Sequence, residues 1–264
     1  MTSAARPRVS AVLLAAGYGT RLYPLTKTVS KALLPIGTGV LLDTIMAQLK
    51  TLAPLRKTIL ISNALFYDDF AAWRTRRRLR RVVLMNDGST SPESRLGAIR
   101  DLALALKQVP AADDVLVLGT DNLFTWSLKE VTEFAQTRRP AVTVAAYRLR
   151  SKAQARKLAV VELDATGRLT RFVEKPARPV STTVAMCVYY LPSAARPRIA
   201  EFLSAGHRGD APGYFVEWLV RRETVYGFVT GGEWFDVGSY AVYRNVRERW
   251  RRRPARVAPV RHGH

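Results

Sequence analysis

Leu13-Leu14-Ala15-Ala16-Gly17-Tyr18-Gly19-Thr20-Arg21-Leu22, with Lys31 ten positions beyond Arg21, is the stretch that decides how this chain is read. An apolar run beginning at Val9 empties into Gly-x-Gly-Thr-Arg. A buried strand therefore ends in a loop whose backbone N–H groups are open to a phosphate, because glycine brings the chain close with no side chain in the way. Arg21 adds a planar fork and Lys31 a mobile point charge for the same anion. The third glycine of a dinucleotide fingerprint is missing, and so is the Gly-Lys-Ser/Thr of a P-loop. Ala16, Gly17, Gly19 and Thr20 are thus candidate nucleotide-binding positions, and Arg21 and Lys31 candidate catalytic cations. Read locally, the two glycines suit a tight turn equally well.

Outward from this loop, short β-branched runs alternate with amphipathic stretches. Strands are expected at 10–15, 58–61, 82–85, 115–118, 141–146 and 158–163, and helices at 41–52, 66–77, 95–107, 128–137 and 240–250. Strands that trade places with long helices imply crossover units, hence an α/β chain with a mostly parallel mixed central sheet. After 173 the rhythm gives a strand at 184–191, helices at 194–203 and around 215–221, and a strand at 224–229, with loop chemistry at 207–213. One domain over 1–250 and a basic tail at 251–264 that frays is the expected organisation.

The 264 residues are 48% apolar and 24% charged, which excludes disordered and fibrous classes. The single cysteine, Cys187, forms no intrachain disulfide, so a reducing cytoplasm is the simplest location. No stretch reaches the roughly 20 apolar residues that span a bilayer. Arg6 and Arg8 before the run at 9–16 mimic a secretory leader, but that run enters the glycine loop and reads as a strand. The formal net charge is 42 − 21 = +21, concentrated at 74–81 and 247–256. Such a field draws polyanions. Solvated helix faces are the plainer reading, since neither run is interleaved with aromatics and one cysteine excludes zinc-finger spacing. No specific nucleic acid is expected, and weak contact with an acidic membrane through the arginine runs stays open.

The stretch from Gly17 to Thr26, followed by Ser30-Lys31-Ala32-Leu33-Leu34-Pro35, resembles the signature of sugar-1-phosphate nucleotidyltransferases, the group that includes glucose-1-phosphate thymidylyltransferases. Ser30 stands where the family usually has proline. Three later segments keep the family's order: Leu118-Gly119-Thr120-Asp121-Asn122-Leu123-Phe124, Glu174-Lys175-Pro176 and Trp234-Phe235-Asp236-Val237-Gly238-Ser239. The resemblance runs from about Val9 to Val246. It implies a three-layer Rossmann-like fold of the nucleotide-diphospho-sugar transferase type. It also implies an enzyme that couples a nucleoside triphosphate to a sugar 1-phosphate, giving a nucleotide sugar and pyrophosphate for surface-glycan or secondary-metabolite glycosylation, with Mg²⁺ as cofactor and a homo-oligomeric assembly.

By the same resemblance, Asp121 and Asp236 hold the metal, Lys175 the incoming sugar phosphate, and Glu174 the sugar hydroxyls. Asn122, Ala159, Val184 and Met186 complete the sugar-phosphate side, while Asn86, Leu96, Gly97 and Asp121 belong to the nucleotide side. Oxygen ligands from two aspartates suit a hard cation. On local grounds Asp121 is also a turn aspartate, Asp236 a partner for the following helix N-terminus, Lys175 a surface lysine, and Asn86-Asp87-Gly88 a plain turn. Asn86 offers a paired donor and acceptor, which leaves the base open. Ala159 and Met186-Cys187 replace smaller or more polar family residues. They predict a narrowed, more apolar pocket suited to a deoxygenated or smaller sugar, a methylene-sized change being worth roughly 1–3 kcal/mol. The rivals are a non-catalytic nucleotide-sugar sensor and a basic polyanion-binding protein.

Overall fold

The computed structural model describes residues 7–207 and 209–251. In chain order its elements begin with β1 (Val9–Leu14), β2 (Pro35–Ile36), β3 (Gly39–Val40), α1 (Leu41–Leu49), β4 (Thr58–Ser62), α2 (Tyr67–Arg76), β5 (Val82–Asn86) and α3 (Ala98–Leu106). There follow β6 (Asp114–Gly119), β7 (Asn122–Phe124), α4 (Leu128–Thr137), β8 (Val142–Arg148), α5 (Lys152–Ala155), β9 (Ala159–Leu163) and β10 (Leu169–Glu174). The last third holds β11 (Thr183–Leu191), α6 (Pro197–Ser204), α7 (Pro212–Val220), β12 (Val225–Val229), β13 (Trp234–Asp236) and α8 (Tyr240–Arg251).

Nine strands form the main sheet, in the order β10-β9-β11-β6-β1-β4-β5, with β8 on β11 and β12 on β8. β1 runs parallel to β4 and β6, β4 parallel to β5, and β8 parallel to β12. β11 opposes β6, β8 and β9, and β10 opposes β9. Only β10 and β11 therefore point against the rest, and the sheet is mixed but mostly parallel. β1 and β6 read as near-continuous apolar runs, broken only by the buried Ser10 and Asp114, because both faces of the sheet are covered. One face packs on α1, α2 and α4 through residues such as Ile45, Phe70, Trp73 and Val131. The other packs on α3, α6 and α7 through Ile99, Leu102, Phe202 and Phe215. A third cluster of Leu22, Leu34, Leu123, Val237, Tyr243 and Val246 joins the small hairpin β2–β3 to β7, β13 and α8.

Two expected helices begin later than their sequence pattern suggests. α3 starts at Ala98 because Gly97, at φ +92°, leaves the helical region. The second begins as a 3-10 turn at Ser193–Ala195 and becomes α-helical at Pro197, where a fixed φ and a missing N–H suit the first helical turn. β10, β7, β13 and the hairpin were not anticipated. The expected basic tail, apart from Arg251 at the end of α8, lies outside the described residues. Of the first arginine run, Arg77 pairs with Asp43 and Arg74 donates to the Val82 carbonyl.

Candidate active site at the strand ends

The loop after β1 leaves the sheet beside the end of β6. Thr120 fastens the two, its N–H and Oγ1 both donating to the Leu14 carbonyl, at 3.3 and 2.9 Å. Asn63 clamps the loop from β4 through a 3.0 Å bond to the Ala16 carbonyl. Gly17 has open space where a side chain would project. Gly19 is left-handed at φ +64°, and Thr26 Oγ1 caps its carbonyl at 2.8 Å. Thr20 and Arg21 then sit exposed in a 3-10 turn. Ser30, at φ −60°, holds the backbone angle that proline would impose, so its substitution keeps the geometry that presents Lys31.

Lys31 Nζ donates to Asp121 Oδ2 at 2.7 Å. Asp121 keeps 27% of its side-chain exposure and is reachable from solvent. The second aspartate arrives through pairing of short strands. β13 lies antiparallel to β7, with Asp236 opposite Asn122, and the Val237 N–H donates to the Asp121 carbonyl at 2.9 Å. The Asn122 amide donates to Asp121 Oδ1 and the Gly119 carbonyl and accepts from Trp234 Nε1 at 2.8 Å. Asn122 is thus a buried clamp behind Asp121 rather than a group facing the sugar. A Cβ built on Gly238 would come within 3.3 Å of Arg21 Cζ and of Asp236 Oδ2, so Arg21 closes the cluster.

The two aspartates differ in charge environment. Burial pushes Asp121 up, but Lys31 and then Arg21 outweigh it and hold the carboxyl below its ordinary range. Asp236 is pushed up to about 6, first by burial and then by the charge of Asp121, with Lys31, Arg21 and Lys175 acting against it. Among the described residues no group of three or more His, Cys, Asp or Glu side chains is gathered for a metal. An all-oxygen pair of this kind fits a hard cation that completes its shell with phosphate and water oxygens.

Lys175 sits across from this cluster at φ +50°, a left-handed angle uncommon for a residue with a side chain. Its ammonium is 3.3 Å from Glu174 Oε1 and half exposed, while the Glu174 side chain is only 8% exposed. Burial pushes Glu174 up, against the attraction of Lys175. A Cβ on Gly213, in the first turn of α7, would collide with Glu174 Oε2, so glycine there makes room for the carboxylate. β11 carries extra residues between Ala185 and Tyr189 relative to β8, a bulge next to the site. Strand alternation corrects one expectation here: Val184 and Met186 are fully buried in the core beneath α1 and α4, and neither narrows the crevice. Ala159 and Cys187 share the opposite face, with Cys187 Cβ 3.0 Å from where a Gly119 Cβ would stand.

At the other end, Asn86 Oδ1 accepts from the Gly88 N–H at 2.8 Å, so this segment is also a turn and the amide NH₂ is the group left to face outward. The close approach at Gly97 is to the protein's own chain: a Cβ there would lie 2.8 Å from the Gly209 carbonyl oxygen. A cleft of about 510 Å³ opens here, lined by Glu93, Arg95, Leu96, Gly97, Arg100 and Asp210. It lies beside the segment expected to meet the base and not at the aspartates.

A family model described as nucleotidyl transferase matches residues 10–252. The chain is 30% identical over 182 residues to a glucose-1-phosphate adenylyltransferase of Vibrio parahaemolyticus, covering 66% of this chain and 44% of that one. It is 27% identical over 231 residues to a mannose-1-phosphate guanyltransferase of Yarrowia lipolytica, covering 86% and 60%. The chain therefore spans less than two thirds of the length of these relatives. A solved structure from Bacillus anthracis, assigned as a glucose-1-phosphate thymidylyltransferase and containing sucrose, superposes with a TM-score of 0.79 at 19% identity, covering 93% of this chain and 96% of its own. That likeness confirms the three-layer fold. Matched over nearly all of its described residues, the chain belongs to the nucleotidyl transferase family, alongside the sugar-1-phosphate nucleotidyltransferases just described.

Proposed function

We propose that the protein couples a nucleoside triphosphate to a sugar 1-phosphate. The observation that carries this is the convergence of Asp121 and Asp236, by β7–β13 pairing, on Lys31 and Arg21 beside the open glycine loop. The sugar-phosphate oxygen attacks the α-phosphorus, a new P–O bond forms, and the bond to the β-phosphate breaks with its electron pair leaving on pyrophosphate. Transfers of this type need positioning and charge neutralisation more than covalent help. The backbone at Ala16–Thr20 cradles the triphosphate, Arg21 and Lys31 hold the charge that departs, and Lys175 fixes the attacking phosphate while Glu174 accepts from the sugar. Asp121 and Asp236 would hold Mg²⁺, which when bound supplies charge neutralisation at the phosphates.

Leu96, Gly97 and the Asn86 amide face the base. On the sugar side, Ala159 and Cys187 favour a deoxygenated or smaller sugar. No helix among the described residues is long and apolar enough to cross a membrane, and a free cysteine suits a reducing cytoplasm. A homo-oligomer is part of the same proposal. The test is a matrix of common nucleoside triphosphates against glucose, deoxysugar and polyol phosphates, reading pyrophosphate release with and without Mg²⁺. Turnover with at least one pair is expected. Silence across the matrix refutes the reaction, and glucose 1-phosphate as best acceptor refutes the sugar preference.

A further inference from the structure

Asp101, in the first turns of α3, is a carboxyl with 6% exposure and no basic partner among the described residues. Its Oδ1 has no hydrogen-bond partner among the described residues. What acts on it is another carboxyl, Asp87, close enough for its charge and side chain to weigh on Asp101. A buried carboxylate beside a half-buried one is repelled strongly unless a proton lies between them.

Asp87 belongs to the turn at the base end. Its Oδ1 accepts the Ser89 N–H at 2.7 Å and the Ser89 hydroxyl at 2.8 Å. Ser89 in turn accepts from the Tyr18 phenol of the glycine loop at 3.1 Å. The turn is stitched to β4 as well, through Asp87 N–H to Ser62 and Ala64 N–H to Ser89. A continuous polar chain therefore links α3, the base-end turn and the phosphate loop: Asp101, Asp87, Ser89, Tyr18.

We propose that Asp101 and Asp87 share one proton, and that Asp101 is the positioning residue which, through this bond, holds the turn at 86–90 in register with the glycine loop to receive the nucleobase. The inference rests on the proposed reaction for its ligand and on the contacts above for its geometry. Burial, followed by the charge of Asp87, pushes Asp101 up to about 7, so the bond is made at neutral pH and below and breaks above. The other titratable groups nearby are Tyr18 and Glu93, whose effect is felt on the phenol, and Arg100, which is exposed on the outer face of α3.

The test compares wild type with D101N, which keeps a donor but cannot titrate, and D101L, which removes it. KM for the nucleoside triphosphate in wild type is expected to rise about fivefold to tenfold between roughly pH 6 and 8.5, with KM for the sugar phosphate moving less than about twofold. In D101N the rise disappears, and in D101L KM for the triphosphate is high throughout. Identical profiles for wild type and D101N, or a wild-type KM in D101L at low pH, overturn the proposal.

Thermal melting without substrate is the second arm. A folded-state value raised above the unfolded one gives stability that is complete at low pH and lost as pH rises through about 7. The melting temperature of D101N relative to wild type should therefore climb between roughly pH 4 and 7 and level off above. A constant difference overturns the shared proton whatever the activity. A climbing difference in a protein that turns over no triphosphate supports the shared proton and refutes the proposed reaction instead.

Discussion

The end of the site proposed for the phosphates and the end proposed for the base are built on opposite electrostatic plans. At the phosphate end, carboxylates are set against cations: Lys31 and Arg21 press on Asp121, and Asp236 is left partly uncompensated. At the base end, carboxyl faces carboxyl and the geometry is completed by turns and glycines. The first plan leaves charge waiting for a ligand. The second uses polarity to fix shape, and substitutions should divide accordingly between loss of turnover and loss of stability or affinity.

Removing charge at the phosphate end should have the largest effect. Asp121→Ala is expected to lower kcat about 10²–10³-fold, the scale seen when one preorganised electrostatic group is lost, with the fold retained by circular dichroism. Undiminished metal-dependent pyrophosphate release would remove Asp121 from the chemistry. Next, Gly97→Ala at the base end meets both a positive φ and the Gly209 carbonyl at 2.8 Å. It should cost about 2–3 kcal/mol in urea unfolding and raise KM for the triphosphate. A neutral result would mean that the loop at 209–210 yields freely.

A smaller, graded effect sharpens the contrast between the two aspartates. Burial pushes Asp236 up to about 6, so protons would compete with a cation held there below that value and not above it. Mg²⁺ affinity should fall about tenfold per pH unit below roughly pH 6 and be flat above pH 7, as isothermal titration would show. A slope continuing into the alkaline range would assign the control elsewhere. The least change is expected from Trp234→Phe, which deletes the 2.8 Å bond to Asn122. About 1 kcal/mol of stability is at stake in chemical unfolding, with a modest drop in kcat as the Asn122 clamp behind Asp121 loosens.

The parallel half of the sheet was legible because its signals are local: apolar runs of five or six residues bounded by loops, and a glycine pair at a strand end. Lys31 and Asp121 were legible as charged residues at the edges of such runs, though only the fold shows them 2.7 Å apart. β7 and β13 were not, since three-residue strands carry no periodicity, and their pairing is what unites Asp121 with Asp236. The misjudged faces of Val184 and Met186 have a similar origin. Side-chain direction alternates along a strand, and sequence alone does not say which parity meets the crevice. Asp101 gave no signal because a helical aspartate near an N-terminus is ordinary until a second carboxyl is found against it.

The dependence on β13 has a consequence for biosynthesis. The glycine loop, Lys31 and Asp121 all emerge early during translation, and β13 is delivered long after them. The two carboxylates therefore come together only once synthesis has passed β13: a shorter chain carries the glycine loop, Lys31 and Asp121 without the strand that brings Asp236 to them.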